Sequence, residues 1–318
     1  MMGSHHARAL NELPDVELVA VSDLDPAAVG RATAGRTARG YSDPTALLAN
    51  EQPDLVVVAV PTSLHHRTSL DALAAGAHVL VEKPIAADRG EAEDMIAASE
   101  TAGRMLTVGH IERFNPAIRE LSRRLDAGEL GRVFQVRATR LGPFPARVRD
   151  VGVVVDLAPH DLDVMRYLLH SEPVRIHAET ERRIHTDHED LFTGLVKFAS
   201  GAVGLLEINW LTPTKVRKLT VTGEYGMYEA DYLSQDLVFY ANADPGQMTE
   251  GEMTRRAVQR REPLLVELSE FVSAIRNGGH APVSPRDGLI AMLLARAMVE
   301  AASRGEVIDA EELAGLLA

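Results

Sequence analysis

The first third of the chain alternates short apolar runs with segments whose apolar residues recur every three to four positions. The runs, at residues 17–22, 55–60, 78–81 and 105–108, have the length of strands, and the segments between them have the period of amphipathic helices. Strands that alternate with helices predict a parallel, doubly wound α/β sheet. The run 55–60 is apolar throughout, which predicts a strand buried on both faces.

After residue 110 the pattern changes. A helix, a strand and a second helix are predicted at residues 116–125, 133–140 and 159–169. Strand patterns then follow one another, at residues 174–181, 191–198, 202–210, 216–222, 226–230 and 237–240. This succession predicts an antiparallel meander with one helix-covered face.

The change of pattern divides the chain into two predicted domains, residues 1–110 and residues 111–318. Helices at 263–277 and 285–303 complete the second domain, and the polar segment 241–261 is predicted to be a loop. The expected fold class is therefore α/β, followed by an α+β domain with a large, mainly antiparallel sheet.

A doubly wound nucleotide-binding domain begins with a strand and a glycine-rich turn. This chain begins with a helix pattern, and Gly3 matches only the third glycine of G-x-G-x-x-G. We therefore expect either an apolar strand and a G-x-G turn encoded in frame before Met1, or a genuine truncation. The chain as written is expected to bind a dinucleotide poorly, because the pyrophosphate needs the backbone N–H groups of that turn.

The amino-acid composition excludes several classes of protein and of partner. The chain has no cysteine, which excludes disulfides and thiolate catalysis and makes the cytoplasm the default location. No apolar run approaches the ~18 residues of a membrane span, and no segment reads as a signal peptide. The net charge of −13 disfavours nucleic acid as a partner. A small-molecule substrate is expected, and an anionic one is compatible with local clusters of arginine.

Lys83 is the first catalytic candidate, because it follows the predicted strand 78–81 at the edge where open α/β sheets bind ligands. Pro84 ends the strand. The chain has only four lysines among its 33 basic residues, so it uses arginine where charge alone is needed. Lysine has a pKa that its surroundings can shift, which favours a proton-transfer role. The alternative is a surface lysine at the end of a strand.

Asp23 ends the second strand of the expected nucleotide-binding fold and lies about 20 residues after the position of the glycine turn. A carboxylate at this position accepts hydrogen bonds from the adenosine ribose hydroxyls and repels a 2′-phosphate, which favours NAD over NADP. The alternative is that Asp23 or Asp25 caps the next helix.

Asp156 and His160 lie four residues apart and share one helix face if the helix begins by then. Histidine suits a general base because its ordinary pKa is closest to neutrality. The alternative is that Asp156 caps the helix and His160 packs in an interface.

Polar groups elsewhere are less specific. Arg140, Arg147 and Arg149 are suited to phosphate binding or, equally, to surface pairing with carboxylates. Arg113 and Asn115 follow the last strand of the first domain and are expected to line the cleft. Trp210 is expected in the core or in a subunit interface, and residues 185–190 are expected to form a solvated hairpin loop.

Several motifs together resemble the glucose–fructose oxidoreductase / inositol dehydrogenase family (Gfo/Idh/MocA). They are Met2-Gly3-Ser4-His5-His6, Val-Ser-Asp23, Pro61-Thr62-Ser63-Leu64-His65, Ala75-Gly76-Ala77-His78-Val79 with Glu82-Lys83-Pro84, and the segment from Asp156 to Asp163. The segments 109–116 and 142–152 resemble the branch that oxidises carbon 3 of UDP-N-acetylglucosamine.

The resemblance implies a Rossmann-type nucleotide-binding domain, here without its first strand, and an NAD-dependent oxidation of a secondary ring hydroxyl. Lys83 and His160 would flank the reacting hydroxyl, and Asp156 would contact the substrate or orient the site. The implied cofactor-binding residues are Gly3, Asp23, Pro61, Thr62, His65, Glu82, Lys83 and His110. The implied substrate-binding residues are Arg113, Asn115, Arg147, Arg149 and Asp156. The chemistry needs no metal, although Asp156, His160 and Asp163 are of ligand type.

Two other functions are compatible with the sequence. One is an inositol, polyol or other sugar dehydrogenase of the same family. The other is a non-catalytic nucleotide-binding remnant, suggested by the missing turn. Whichever of these functions holds, the open face of the antiparallel sheet suggests a homodimer or homotetramer, as in relatives.

Overall fold

A computed structural model describes residues 2–145, 148, 151–185, 187–242 and 251–317. Contacts divide the chain into two compact units. The first comprises Met1–Ile111 and Glu262–Leu289, and the second comprises Glu112–Arg261 and Ile290–Ala318. None of the described helices is both long and apolar enough to cross a membrane.

The elements alternate up to residue 108 and then change in type. In chain order the first are α1 (Met2–Glu12), β1 (Ala20–Ser22), α2 (Pro26–Thr33), β2 (Arg39–Tyr41), α3 (Pro44–Glu51), β3 (Leu55–Val58), α4 (His65–Ala74), β4 (His78–Val81), α5 (Arg89–Ala102) and β5 (Leu106–Val108). The next are α6 (Pro116–Asp126), β6 (Val133–Pro143), α7 (Val153–Leu169), β7 (Pro173–Glu181), β8 (Leu191–Phe198), β9 (Val203–Asn209), β10 (Leu211–Gly223), β11 (Gly226–Asp231), β12 (Asp236–Ala241) and β13 (Met253–Arg256). The last are α8 (Pro263–Asn277), α9 (Pro285–Arg304) and α10 (Ala310–Leu317).

The first unit contains two parallel sheets, β1–β2 and β3–β4–β5, in agreement with the predicted α/β class. Aspartates cap three of its helices. The side chains of Asp25, Asp43 and Asp88 accept backbone N–H groups in the first turns of α2, α3 and α5. Strand β2 was not predicted, because Arg39 and Gly40 are exposed and give it no apolar pattern.

The centre of the first unit is β4, whose residues Val79, Leu80 and Val81 are fully buried. Leu80 shares a core cluster with residues of α1 and α8. The prediction of a fully buried strand over 55–60 is wrong for β3, which ends at Val58 and is half-exposed from Leu55 to Val57. Among the described strands β3 pairs only with β4.

The second unit is built on an eight-stranded sheet with the order β13-β12-β11-β10-β6-β9-β8-β7. All neighbours are antiparallel except β6 and β9, so the predicted mainly antiparallel sheet is confirmed. The order is not that of a simple meander, because β6 lies between β9 and β10. Helix α7 packs against β9 closely, and a Cβ on Gly204 would lie 2.9 Å from Sδ of Met165.

The second unit departs from the predicted elements in several places. Helix α7 begins at Val153 instead of Pro159, because its N-cap is Gly152, which offers no side-chain signal, and the proline lies inside the helix. The predicted loop 241–261 contains β13, which pairs with β12 and is largely exposed. Residues 243–250 lie outside the described residues. Helix α10 was not predicted.

Candidate functional site

The predicted catalytic lysine lies directly after β4, and the Lys83–Pro84 peptide bond is cis. Buried His65, in the first turn of α4, binds this loop. Its Nδ1 lies 2.8 Å from the carbonyl oxygen of Pro84, and its Nε2 lies 3.0 Å from that of Val60. Both partners are acceptors, so a neutral imidazole donates to one of them at a time and an imidazolium donates to both. His65 therefore joins the segment after β3 to the loop after β4.

Glu82 is fixed from two sides. Its Oε1 lies 2.7 Å from Nε2 of His6 on α1, and its Oε2 accepts the backbone N–H of Lys83 at 3.3 Å. A Cβ on Gly109 would lie 3.3 Å from Cδ of Glu82, so glycine leaves the space that this side chain occupies. These contacts hold the carboxylate beside the lysine.

A second carboxyl group lies near Glu82 and was not predicted. Glu267 on α8 is only 2% exposed, and neither of its carboxyl oxygens has a hydrogen-bond partner among the described residues. Burial raises the pKa of Glu267 well above its ordinary value, and the negative charge of Glu82 raises it further. Both effects shift the equilibrium of this carboxyl group toward its protonated form. No sequence motif marks this residue.

The predicted dinucleotide-binding residues lie in the first unit. Asp23 is exposed after β1, at the carboxyl end of a parallel strand, and its Oδ1 accepts the N–H of Asp25 at 2.9 Å. The cap of α2 is Asp25, which leaves Asp23 with further acceptor capacity. Gly3 lies in the first turn of α1, where a Cβ would lie 3.8 Å from that of Ala59. An exposed carboxylate at a strand end and a glycine where helix meets strand fit a bound dinucleotide.

The other predicted cofactor residues follow strand ends of the same unit. Pro61 and Thr62 lie at the start of the 3₁₀ turn 62–64, and His110 is buried after β5.

In the second unit, Asp156 and His160 are both half-buried on α7. Because this helix begins at Val153, the two residues lie one turn apart on one face. Asp156 belongs to the first helical turn, and Gly152 occupies the cap position.

Buried ion pairs lie along the same helix. Arg140, 4% exposed, places Nε and Nη2 at 2.7 and 2.8 Å from the carboxylate oxygens of Asp161, and its Nη1 lies 3.0 Å from Glu112. Burial lowers the pKa of Arg140, but the negative charges of Asp161 and Glu112 outweigh this effect and raise the pKa well above its ordinary value. Arg140 therefore pairs with carboxylates, as one of the two alternatives predicted, but the pairs are buried and do not lie at the surface. Arg147 and Arg149 lie outside the described residues.

The predicted cleft residues have partners within the second unit. Arg113 binds both carboxylate oxygens of Asp163, with Nε at 2.7 Å from Oδ2. Asn115 caps α6 by accepting the N–H of Ala117 at 3.1 Å, and its Nδ2 donates to the carbonyl of Tyr232 at 3.0 Å. These contacts favour a supporting role for both side chains.

The predicted solvated loop 185–190 is buried at its two ends, His185 and Asp190, whereas Asp187 is exposed. Asp190 is fully buried and its carboxylate accepts the backbone N–H groups of Arg183, Ile184 and His185. Trp210 is buried and stacks near His185, as expected for a core residue. In the part of the chain that the structure describes, no group of three or more His, Cys, Asp or Glu side chains is arranged to hold a metal ion.

Comparison with known proteins agrees with this architecture. The profile described as "Oxidoreductase family, NAD-binding Rossmann fold" matches residues 1–110, and that of the "GFO/IDH/MocA C-terminal domain" matches residues 118–229. UDP-N-acetylglucosamine 3-dehydrogenase of Acidithiobacillus ferrooxidans is 31% identical over 94% of this chain and 95% of its own. Inositol 2-dehydrogenase of Rhizobium meliloti is 28% identical over 97% and 96%.

A solved structure of the A. ferrooxidans enzyme superposes with a TM-score of 0.86 at 26% identity. It covers 96% of this chain and 95% of that one.

Proposed function

The chain belongs to the Gfo/Idh/MocA oxidoreductase family, and within that family of sugar and polyol dehydrogenases we propose that it oxidises carbon 3 of UDP-N-acetylglucosamine. The observation that carries the proposal is the 31% identity to a UDP-N-acetylglucosamine 3-dehydrogenase along nearly the whole of both chains. The motifs in segments 109–116 and 142–152 support the same substrate.

We assign removal of the substrate hydroxyl proton to a ring nitrogen of His160. Asp156, one turn before it on α7, orients the site or contacts the substrate. Lys83 assists the proton transfer from its position after β4, where His65 and Glu82 fix the backbone on either side of it. As the proton leaves the oxygen, the hydrogen on the same carbon leaves as hydride and a carbonyl group forms.

The cofactor is NAD, which supplies the hydride acceptor. We assign ribose binding to Asp23 and the remaining cofactor contacts to Gly3, Pro61, Thr62, His65, Glu82, Lys83 and His110. The exposed Asp23 carboxylate favours NAD, because it accepts hydrogen bonds from ribose hydroxyls and repels a 2′-phosphate.

A second candidate substrate is an inositol or another polyol, because an inositol 2-dehydrogenase is 28% identical over almost the whole chain.

We also propose that the protein forms a homodimer or homotetramer. The alternating burial along β6 and β8 leaves one face of the eight-stranded sheet partly exposed. Light scattering measures the particle mass, and a monomer at micromolar concentration would contradict this assembly.

The experiment for the substrate is an assay of NAD reduction by the purified protein at saturating NAD, with UDP-N-acetylglucosamine, myo-inositol and other sugars and polyols. We expect the highest kcat/KM with the nucleotide sugar, and a kcat that is lower by ~10²–10⁴-fold in His160→Asn. A higher kcat/KM with myo-inositol would replace the first candidate by the second. Absence of turnover with every sugar and polyol would overturn the proposed function.

A further inference from the structure

Two arginines lie side by side on the helix-covered face of the large sheet. Arg140 on β6 and Arg217 on β10 are direct partners in the antiparallel register, so their side chains project from the same face. Arg140 is buried, whereas Arg217 is half-buried. The sequence gives no reason to connect them, because the strands that carry them are far apart along the chain.

The two guanidinium groups are used differently. Arg140 presents its Nε–Nη2 edge to the carboxylate of Asp161, and Arg113 and Arg166 present the same edge to Asp163 and Glu172. This edge forms the two parallel hydrogen bonds of a bidentate pair.

Arg217 donates from Nη1 only. Its acceptors are the carbonyl oxygens of Val216, at 2.8 Å, and Leu141. Among the described residues, no group accepts a hydrogen bond from its Nε or Nη2, and no carboxylate forms an ion pair with it. The backbone contacts therefore fix the guanidinium and leave its bidentate edge for another acceptor.

The electrostatic setting of Arg217 favours an anion at this edge. Burial and, second to it, the neighbouring positive charge of Arg140 lower the pKa of Arg217 to about 10. Asp161, Glu112 and Asp156 act in the opposite direction but do not offset these effects. A half-buried cation that its own protein leaves uncompensated is stabilised by an external anion.

We propose that the Nε–Nη2 edge of Arg217 binds two oxygens of one anionic group of the substrate, a phosphate or a carboxylate. The inference rests on the proposed function and specifies its substrate class, because it requires an acidic sugar derivative and excludes a neutral polyol as the best substrate. The Nη1 contacts also close the irregular part of the β6–β10 ladder, between Leu211 and Val216. That structural role leaves the other edge of the guanidinium unchanged.

The test is calorimetric binding of UDP and of D-glucuronate, with and without NAD. UDP probes phosphate and glucuronate probes carboxylate. The variants are Arg217→Gln, which keeps a hydrogen-bond donor without the charge, and Arg217→Lys, which keeps the charge without the fork. Arg137→Gln is the matched control, because Arg137 is exposed, lies three residues before Arg140 on β6 and therefore projects from the opposite face.

We expect at least one probe to bind the unmodified protein and Arg217→Gln to weaken it by ~10–100-fold, as for a hydrogen-bonded charge pair. Arg217→Lys should weaken it less, and Arg137→Gln should leave it unchanged. The probe that loses affinity identifies the anionic group. Thermal unfolding verifies that each variant is folded, and if Arg217→Gln is not, Arg217→Lys alone decides.

The proposal is overturned if neither probe binds, if both bind Arg217→Gln as tightly as the unmodified protein, or if Arg137→Gln has an equal effect. These results do not depend on turnover. The proposed function would fail by a different result, the absence of NAD reduction with every sugar, so the two failures can be told apart.

Discussion

Nδ1 of His65 lies 2.8 Å from the carbonyl oxygen of Pro84, so a buried side chain of α4 supports the backbone beside Lys83. We expect His65→Leu to destabilise the protein by ~1–3 kcal/mol, because the Pro84 and Val60 carbonyls lose their partner. It should also lower kcat through displacement of Lys83. Urea unfolding and steady-state kinetics measure the two effects. The control is His66→Leu, on the half-exposed neighbour, and equal effects of the two changes would contradict the supporting role of His65.

Glu267 makes stability depend on pH. Because its pKa is raised in the folded state, the folded protein keeps a proton that the unfolded chain releases above about pH 4. Stability is therefore lost as the pH rises from there toward the folded pKa. Glu267→Gln removes this dependence. The free energy of unfolding of the variant, relative to that of the unmodified protein, should therefore rise by up to ~1.4 kcal/mol per pH unit.

Urea unfolding at several pH values measures this difference. Glu100→Gln is the control, because Glu100 is exposed on α5 and should show no such trend. A difference between Glu267→Gln and the unmodified protein that stays constant with pH would mean that Glu267 is ionised in the folded state.

Lys83→Met and His160→Asn should each lower kcat by ~10²–10⁴-fold, the contribution of a positioned acid–base group. His160→Asn should also remove one limb of the pH profile of kcat, because the group that must lose its proton is gone. Affinity for NAD should change far less, since His160 belongs to the second unit. Near-full turnover with an unchanged pH profile in His160→Asn would move the general base elsewhere, with Lys83 as the first alternative.

Asp23→Ala should weaken the binding of NAD and allow NADP to bind. Both effects follow from loss of a carboxylate that accepts ribose hydroxyls and repels a 2′-phosphate. The ratio of kcat/KM for the two cofactors is the measurement. An unchanged ratio would leave Asp23 only its hydrogen bond to the Asp25 backbone.

Asp161→Asn should destabilise the protein by ~3–5 kcal/mol, because it leaves the buried Arg140 without its bidentate partner. Asp236→Asn is the control, since Asp236 pairs with an exposed arginine at the surface. Its effect on urea unfolding should be far smaller, and equal effects would show that burial does not govern the Arg140 pair.

The sequence predicted features whose signals are local. β4 and the position of Lys83 after it were predicted because an apolar run ends at a proline, and α2 and α3 because an aspartate precedes a proline. Arg217 and Glu267 carry no local signal. Their surroundings come from distant segments, Arg140 on a partner strand in one case and Glu82 in the other.

The beginning of α7 was missed for the opposite reason, because Pro159 gave a misleading local signal. Residues within that helix are held by its packing on β6 and β9, which no single-sequence pattern reports.

The edge strand β13 bears on how the protein behaves in concentrated solution. Among the described strands it pairs only with β12, and its residues Met253–Arg256 are largely exposed. Such an edge is a template for an extended segment of another molecule, which gives cross-β association. The net charge of −13 opposes this association by repulsion, and added salt screens the repulsion. Precipitation should therefore begin at this edge when the ionic strength is raised.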